Sequence, residues 1–208
     1  MSGMVKELKY ALFLIFHPFK GFWGIKHENK GSMRIAMILL GIFTLLQLAA
    51  RQFTSYIFNE NDTLSFNVVK EIAIIFLIFG LWAASNWCLT CLMDGEGNFR
   101  DIVKATSYAL IPMIVFGIPL ILLSYALTAR EGSIYMFLYY LPQIWTGSLL
   151  VLGTMTTHQY TLARTLLTTV MTLLGMAVMA FIGLLFFNLI QQILGFGVNL
   201  YKEIVFRF

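Results

Sequence analysis

The chain has 208 residues, of which 59% are hydrophobic and 12% are charged. A water-soluble domain has about a quarter of its residues charged, so this composition excludes an ordinary soluble globule. The charged residues stand in short clusters between long apolar runs, which is the pattern of membrane spans. The net charge of +4 is explained by membrane topology and by anionic lipid head groups, and it implies no nucleic acid. We therefore predict an all-α, polytopic integral membrane protein in contact with the lipid bilayer.

The first 32 residues, here called the preface, mix aromatic residues with lysines. Lys6 and Lys9 precede an apolar stretch at 11–16, but this stretch is short and no small-residue cleavage site follows it, so we expect it to be retained rather than removed as a signal peptide. Aromatic and basic residues together are typical of an interfacial segment on a negatively charged cytoplasmic surface. The predicted interfacial anchors are Phe19, Phe22 and Trp23.

Five apolar runs follow the preface, and each is long enough to cross the ~30 Å hydrocarbon core as a helix. They cover about residues 33–58, 68–93, 105–128, 134–155 and 166–194. We therefore predict a bundle of five transmembrane helices over residues 33–195. The remaining residues, 196–208, are too few to span the bilayer and are predicted to form a short external interfacial tail.

The orientation follows from the basic residues that flank these runs. With five spans, nine of the 14 Lys and Arg residues lie on the side of the N-terminus. The positive-inside rule then places the N-terminus in the cytoplasm and the C-terminus outside, in a plasma or cell membrane.

The densest polar motif lies between the second and third runs. Asp94, Glu96 and Asn98 alternate as in a calcium loop, but the sixth and twelfth loop positions hold Phe99 and Ala105. A calcium loop needs a glycine and a bidentate acidic ligand at those two positions. The pattern therefore argues against a calcium site.

A structured helical hairpin turn explains this motif better. Gly95 and Gly97 would permit positive φ after the second span, and Asn98 can cap the next helix together with Asp101, three residues on. We predict that the motif serves as a structural turn or a partner contact. The candidate residues are Asp94, Gly95, Glu96, Gly97, Asn98 and Asp101, with Tyr108 and Pro112 in the span that follows.

Cys88 and Cys91 form a C-x-x-C pair in the second span. A zinc site would need two further ligands nearby, and a redox pair would need an oxidising compartment, whereas this pair lies near the predicted cytoplasmic side. We expect both cysteines to pack as small apolar residues. A redox role for the pair is left open.

No catalytic constellation is recognisable in the sequence. The histidines His17, His27 and His158 stand in three separate flanks without a matching cluster of carboxylates or cysteines. No nucleophile lies beside a base, and no metal-binding triad or glycine-rich phosphate loop is present. We predict that the chain is not an enzyme, that it has no cofactor and no metal ion, and that no small-molecule substrate can be identified.

Prolines and small residues shape the predicted spans. Pro112 and Pro119 should kink the third span, and Pro142 should kink or unwind the fourth. Gly80 and Ala84 form a small-xxx-small face for helix packing, either within the chain or against another subunit.

Taken together, these features resemble the Yip1-domain family, and most of all its compact prokaryotic branch. The resemblance covers nearly the whole chain. It is carried by His17-Pro18-Phe19, by Phe22-Trp23, by the residues at 94–99 and by Tyr108-Ala109-Leu110-Ile111-Pro112. Eukaryotic relatives have an acidic preface and a glycine before the tyrosine, whereas this chain has a basic-aromatic preface and Ser107. The resemblance implies the fold and topology and a non-enzymatic role, but the Rab GTPase partners of those relatives are not transferred.

Our first functional hypothesis is an accessory or scaffolding subunit that binds other integral membrane proteins in a hetero-complex, such as a transporter complex. The second is a transporter or channel component with its own substrate path between proline-broken helices. The third is a membrane-shaping or lipid-binding protein that acts through its two interfacial segments.

Overall fold

The computed structural model describes residues 2–28, 30–59 and 66–207. Over these residues the chain forms eight α-helices and a 3-10 turn at Ala129–Glu131, and it contains no strand. The helices are α1 Ser2–Phe16, α2 Pro18–His27, α3 Met33–Phe53, α4 Val68–Leu92, α5 Phe99–Ala109, α6 Ile111–Ala126, α7 Gly132–His158 and α8 Leu162–Arg207. The predicted all-α class is confirmed.

The preface forms α1 and α2, and both pack into the bundle. Leu14 is buried, and Phe22 is only 1% exposed because it lies on the face of α2 that packs against α7. Gly153 of α7 faces the Phe22 ring, and a Cβ at that glycine would lie 3.1 Å from the ring. Phe19 and Trp23 are 53% and 47% exposed. The structure thus leaves these two aromatics at the surface, as an interfacial anchor requires, whereas Phe22 belongs to the core.

A serine links the preface to the first long helix. Ser32 is the N-cap of α3, and its Oγ accepts a hydrogen bond of 3.3 Å from the backbone N–H of Ile35. The same hydroxyl donates to Glu7 Oε2 at 2.5 Å. Capping satisfies one of the donors left free at a helix start, so this serine fixes both where α3 begins and where α1 lies.

The third predicted span is broken into α5 and α6. The break falls at Leu110, whose backbone N–H donates to Ser107 O at 3.3 Å, and Pro112 follows in the first turn of α6. Proline has no N–H and favours the start of a helix, which explains the position of the break. Pro119 and Pro142 lie inside α6 and α7, and neither helix is interrupted there. The unwinding considered at Pro142 is therefore not found.

Four helical segments of the described chain are long and apolar enough to cross a membrane: Met33–Phe53, Val68–Leu92, Phe99–Ala126 and Leu162–Glu203. The chain is thus an integral membrane protein. α7 does not belong to this set, although it has 27 residues. Its first half carries several tyrosines, Pro142 and Gln143, which lower its apolar character.

α8 is continuous over 46 residues, which is about 69 Å at 1.5 Å per residue. The helix runs on through Gly195 and Gly197 to Arg207, so no change of secondary structure marks the predicted boundary between a fifth span and a tail at 195/196. Beyond Met179, every described side chain of α8 is exposed. This helix is more than twice as long as the ~30 Å hydrocarbon core is thick.

The first part of α8 packs against α4 through small polar residues. Thr165, Thr168 and Thr172 are fully buried. Ser85 Oγ donates to the carbonyl oxygen of Thr172 at 2.8 Å, and Asn86 Nδ2 donates to the Thr172 hydroxyl at 3.4 Å. Small hydroxyl-bearing residues let membrane helices approach closely and bond to each other, so these contacts hold α8 against α4.

Candidate functional site

The loop between α4 and α5, residues 93–98, is held against the end of α4. The backbone N–H of Gly95 donates to Thr90 O at 2.8 Å. We predicted that the glycines of this loop supply positive φ, and that prediction is wrong. Asp94 takes the left-handed conformation with φ 51°, and neither glycine has a positive φ. Asp residues tolerate this conformation better than most non-glycine residues do.

The two glycines are needed for close approach to the end of α7. A Cβ at Gly95 would lie 2.6 Å from Nδ1 of His158 and 2.7 Å from the Tyr160 hydroxyl. A Cβ at Gly97 would lie 2.6 Å from Cε1 of His158 and 2.8 Å from a methyl group of Thr157. Real Cβ contacts are not this short, so any larger residue would force the loop away from α7.

His158 is the centre of this contact. It is 1% exposed, and its Nδ1 lies 3.3 Å from the backbone N of Gly97 and accepts that N–H. Burial, and to a smaller degree the nearby Lys26 charge, lower the pKa of His158 to about 4, against the opposing effect of the Asp101 charge. The ring is therefore neutral near pH 7, and neutrality is required for Nδ1 to act as an acceptor.

The preface supplies a cation to this contact. The Lys26 ammonium of α2 donates a hydrogen bond to the carbonyl oxygen of Thr157 in the last turn of α7. Carbonyls in the last turn lack partners within the helix and attract cations, so this lysine caps α7. Burial lowers the pKa of Lys26, and the charges of Asp101 and Glu96 oppose that shift.

The short connection from α7 to α8 closes the other side of the loop. The Tyr160 hydroxyl donates to the carbonyl oxygen of Met93 at 2.9 Å. The Arg164 guanidinium lies 4.5 Å from the centre of the Tyr160 ring and donates to the same carbonyl. Burial raises the pKa of Tyr160. We call the assembly of Lys26, His158, Tyr160, Arg164 and the loop at 93–98 the preface-end junction.

The acidic members of the sequence motif line the outer surface of this junction. Asp94, Glu96 and Asn98 are exposed. Asp101 accepts from the backbone N–H of Asn98 at 3.4 Å and forms an ion pair of 2.8 Å with Lys104. The described residues contain no group of three or more His, Cys, Asp or Glu that could hold a metal ion. The exposed carboxylates are thus presented on a rigid turn.

Tyr108 and Pro112 lie apart from the loop, inside the bundle. Both are buried, and Tyr108 is part of the core formed by the preface helices, α3, α5 and α7. Tyr108 is nine residues from the start of α5, about 14 Å along the helix. The sequence motif therefore divides into a surface turn and a core pair, with Pro112 next to the α5–α6 break.

The sequence model of the Yip1 domain matches residues 12–184, from α1 into α8. The chain belongs to the Yip1-domain family. The resemblance carried by the preface, the loop and Tyr108-x-x-x-Pro112 is thereby confirmed. No curated protein and no solved structure matches the chain.

In this Yip1 domain, the small-residue face predicted on α4 points away from the rest of the chain. A Cβ at Gly80 would meet nothing within 4 Å, and Ala84 is half-buried. Cys88 and Cys91 are exposed rather than packed between helices of the chain. The buried face of α4 is instead formed by Ala83 and by the polar residues that contact α8. Any close packing at Gly80 would require another chain.

Sequence reasoning missed the residues that complete the preface-end junction. Lys26 and Thr157 are 131 positions apart, and Gly97 and His158 are 61 apart. No spacing rule links such distant residues. The available signal was the G-x-G pattern, since paired glycines often mark a place where another part of the chain comes close.

Proposed function

We propose that this Yip1-domain protein is a non-enzymatic accessory or scaffolding subunit that binds other integral membrane proteins, such as a transporter complex. The observation that supports this proposal is the length and exposure of α8. About 69 Å of mostly apolar helix extends from residue 162, and the ~30 Å hydrocarbon core covers less than half of it. Exposed apolar surface beyond the bilayer is unfavourable in water. A protein partner would cover it.

The proposed topology has five spans, with α7 as the fourth to be synthesised. The start of α7 lies at the end of the bundle away from the preface, where Tyr135 stacks on Phe58 with ring centres 4.3 Å apart. Its other end, at Thr157, accepts the hydrogen bond from Lys26 of the preface. A helix of 27 residues with its ends at opposite sides of the bundle supports a crossing. We place the N-terminus in the cytoplasm and the C-terminus outside, in the cell membrane.

The loop at 93–98 offers a second contact surface on the proposed cytoplasmic side. Asp94 and Glu96 are exposed, while the glycines beside them are locked against His158 and Tyr160. A rigid loop loses little conformational entropy on binding, so it suits recognition of a basic segment on a partner.

The test is co-purification in mild detergent with glycine-to-leucine variants. Gly183 on α8 and Gly80 on α4 have open space around their Cβ positions, so leucine fits at either site without disturbing the fold of the chain. Gly147→Leu on α7 is the matched control, because its Cβ position is equally open. We expect Gly183→Leu or Gly80→Leu to lower the recovery of a co-purifying membrane protein and Gly147→Leu to leave it unchanged. A chain that purifies alone, or with the same companions in all variants, contradicts the proposal.

A transport role is the second candidate, and two cavities favour it. One of about 410 Å³ lies between α3 and α7 and is lined by Arg51, Tyr139 and Tyr140 among others. A second of about 70 Å³ lies beside Pro142 and Gln143, with room for only a few water molecules. We rank this role lower because α7 is unbroken at Pro142. Solute flux through liposomes that contain the purified protein, above that of protein-free liposomes, would reverse the ranking.

A further inference from the structure

An apolar cleft lies between α3, α4 and the first part of α8. Its volume is about 550 Å³, within the range of ~300–1,000 Å³ typical of ligand sites. Its walls include Leu40, Leu48, Ile75, Ile78, Trp82 and Leu173. Ile78 is exposed, and so is Leu173 of α8, so the cleft opens sideways toward the surrounding lipid.

One end of the cleft carries a pair of opposite charges. Arg51 lies in the last turn of α3 and forms an ion pair with Glu71 in the first turn of α4. The Glu71 side chain is only 13% exposed, whereas Arg51 is 44% exposed. Gln47 lies one turn deeper on α3 and also lines the cleft. The rest of the wall is almost entirely apolar, so the cleft has a charged end and an apolar end.

The cleft is about as deep as one leaflet of a bilayer. Arg51 and Leu40 are 11 positions apart on α3, which corresponds to about 16 Å along the helix. Glu71 and Trp82 are 11 positions apart on α4 and cover the same depth. Half of the ~30 Å hydrocarbon core is about 15 Å. The charged end therefore lies at the membrane interface when the apolar end reaches the middle of the bilayer.

We propose that this cleft binds a glycerophospholipid with a primary amine in its head group, from the leaflet on the side of the α3–α4 connection. One acyl chain lies along Ile78 toward Trp82 and Leu40. The phosphate accepts hydrogen bonds from Arg51, and the ammonium group donates to Glu71. A zwitterionic head group matches the two opposite charges, and guanidinium groups are well suited to phosphate.

The charged end favours a lipid over a helix from a second chain. An apolar helix packed here would bury the Arg51–Glu71 pair without giving either charge a new partner, and that desolvation is unfavourable. A zwitterionic lipid provides a partner for each charge while its acyl chain covers the apolar wall. This inference concerns a different face from the exposed part of α8, and it stands or fails independently of the accessory role.

The experiment is native mass spectrometry of the full chain released from nanodiscs made of equal parts phosphatidylethanolamine and phosphatidylglycerol. We expect one phosphatidylethanolamine bound per chain. Ile78→Trp fills the cleft and should abolish this adduct. Leu185→Trp, at a site on α8 that is exposed and outside the cleft, is the matched control and should retain it.

The head-group contacts are tested in the same measurement. Arg51→Gln should reduce the bound fraction about tenfold, because a hydrogen bond to a charged group is lost, and Arg51→Lys should restore part of it. Glu71→Gln should abolish the preference for phosphatidylethanolamine over phosphatidylglycerol. Equal lipid adducts in wild type and Ile78→Trp, or no preference between the two lipids in wild type, would overturn the proposal. So would crosslinking of position 78 to a second protein chain in place of lipid.

Discussion

At the preface end of the bundle, three segments that are far apart in sequence hold one another, whereas toward the opposite end a cleft lies open between α3, α4 and the first part of α8. Lys26, Gly97 and His158 meet through hydrogen bonds at the first end. At the second end, every described side chain of α8 beyond Met179 is exposed. The chain thus packs one end of the bundle by itself, and we propose that lipid or protein covers the other.

We expect this difference to separate positions that stabilise the fold from positions that act in binding. At the preface end, a change of residue should be measured as loss of folding free energy. At the other end, the same kind of change should leave the isolated chain intact and alter what binds to it. The following four predictions test that division.

The largest effect is expected for Phe22→Ala. Phe22 is buried against Gly153, and truncation leaves a cavity that costs about 3 kcal/mol. For a chain of this size, the melting temperature in a fixed mild detergent should fall by roughly 6–12 °C. The control is Phe19→Ala at an exposed position of the same helix, which should shift the melting temperature by no more than about 2 °C. Equal shifts for both variants would refute the burial of α2.

Gly97→Leu and Gly80→Leu make the sharpest matched pair. Leucine at 97 collides with His158 and Thr157 and should destabilise the chain by about 2–3 kcal/mol. Leucine at 80 enters open space and should stabilise α4 by up to about 1 kcal/mol, since glycine is a poor helix former. Thermal unfolding of both variants in the same detergent decides the matter. If Gly80→Leu destabilises the isolated chain as much as Gly97→Leu does, the two regions do not differ in how tightly the chain packs around them.

Acid should weaken the preface end through His158. Burial lowers its pKa from 6.5 in the unfolded chain to about 4. The unfolded state therefore binds the proton first as the pH falls through this interval, and stability is lost between about pH 6.5 and pH 4. The loss attributable to His158 should reach about 2 kcal/mol near pH 4.5.

This acid effect can be isolated with His158→Gln, which keeps an acceptor but does not titrate. The difference in unfolding free energy between wild type and variant should shrink as the pH is lowered from 7 to 4.5. The protection of the Gly97 amide against hydrogen exchange, relative to the intrinsic rate at each pH, should fall over the same range in wild type only. A difference that does not change with pH would show that folding does not shift the pKa of His158.

The smallest effect is expected for Lys26→Met. This variant keeps the apolar stem but removes the hydrogen bond to Thr157 O, with a cost of about 1 kcal/mol. It also removes a cation that lowers the pKa of His158. The pKa in the folded chain then lies nearer to the unfolded value, so the acid-induced loss should be smaller and should level off at a higher pH. Unfolding free energies of wild type and variant at pH 7 and pH 4 measure both consequences. An equal loss between pH 7 and pH 4 in the two proteins would mean that the Lys26 charge does not act on His158.

Much of the fold can be predicted from the apolar runs and the positions of prolines alone. Long apolar runs predicted the helices, and Pro112 predicted the break between α5 and α6. The packing of the preface did not follow, because a run such as the one around Phe22 suits a membrane surface and a protein core equally well. Burial there depends on Gly153, which is 131 positions away in the chain, and sequence pattern does not link such positions.

The candidate site was predicted in part. The loop at 94–98 and its cap at Asp101 were recognisable from local turn chemistry, which acts over three or four residues. The reason for its glycines was not recognisable, since close approach to His158 depends on how α7 is placed. For Gly80, the local pattern was recognisable but the chain that it contacts was not. A small-xxx-small pattern indicates that a close contact is possible, but it does not say which chain makes it.

The hydrogen bond between Lys26 and Thr157 also constrains how the protein is made. The ribosome synthesises Lys26 131 residues before Thr157, which carries the acceptor. This separation corresponds to a delay on the order of ten seconds at the usual rates of synthesis. During this interval Phe22 has no core to enter, and the head-group region is the nearest place that accepts aromatic rings. The preface can then dock only if the end of α7 emerges on the same side of the membrane. In a chain inserted with the wrong topology, α1 and α2 would remain undocked. The exposed preface would then distinguish the misassembled chain from the correctly folded one.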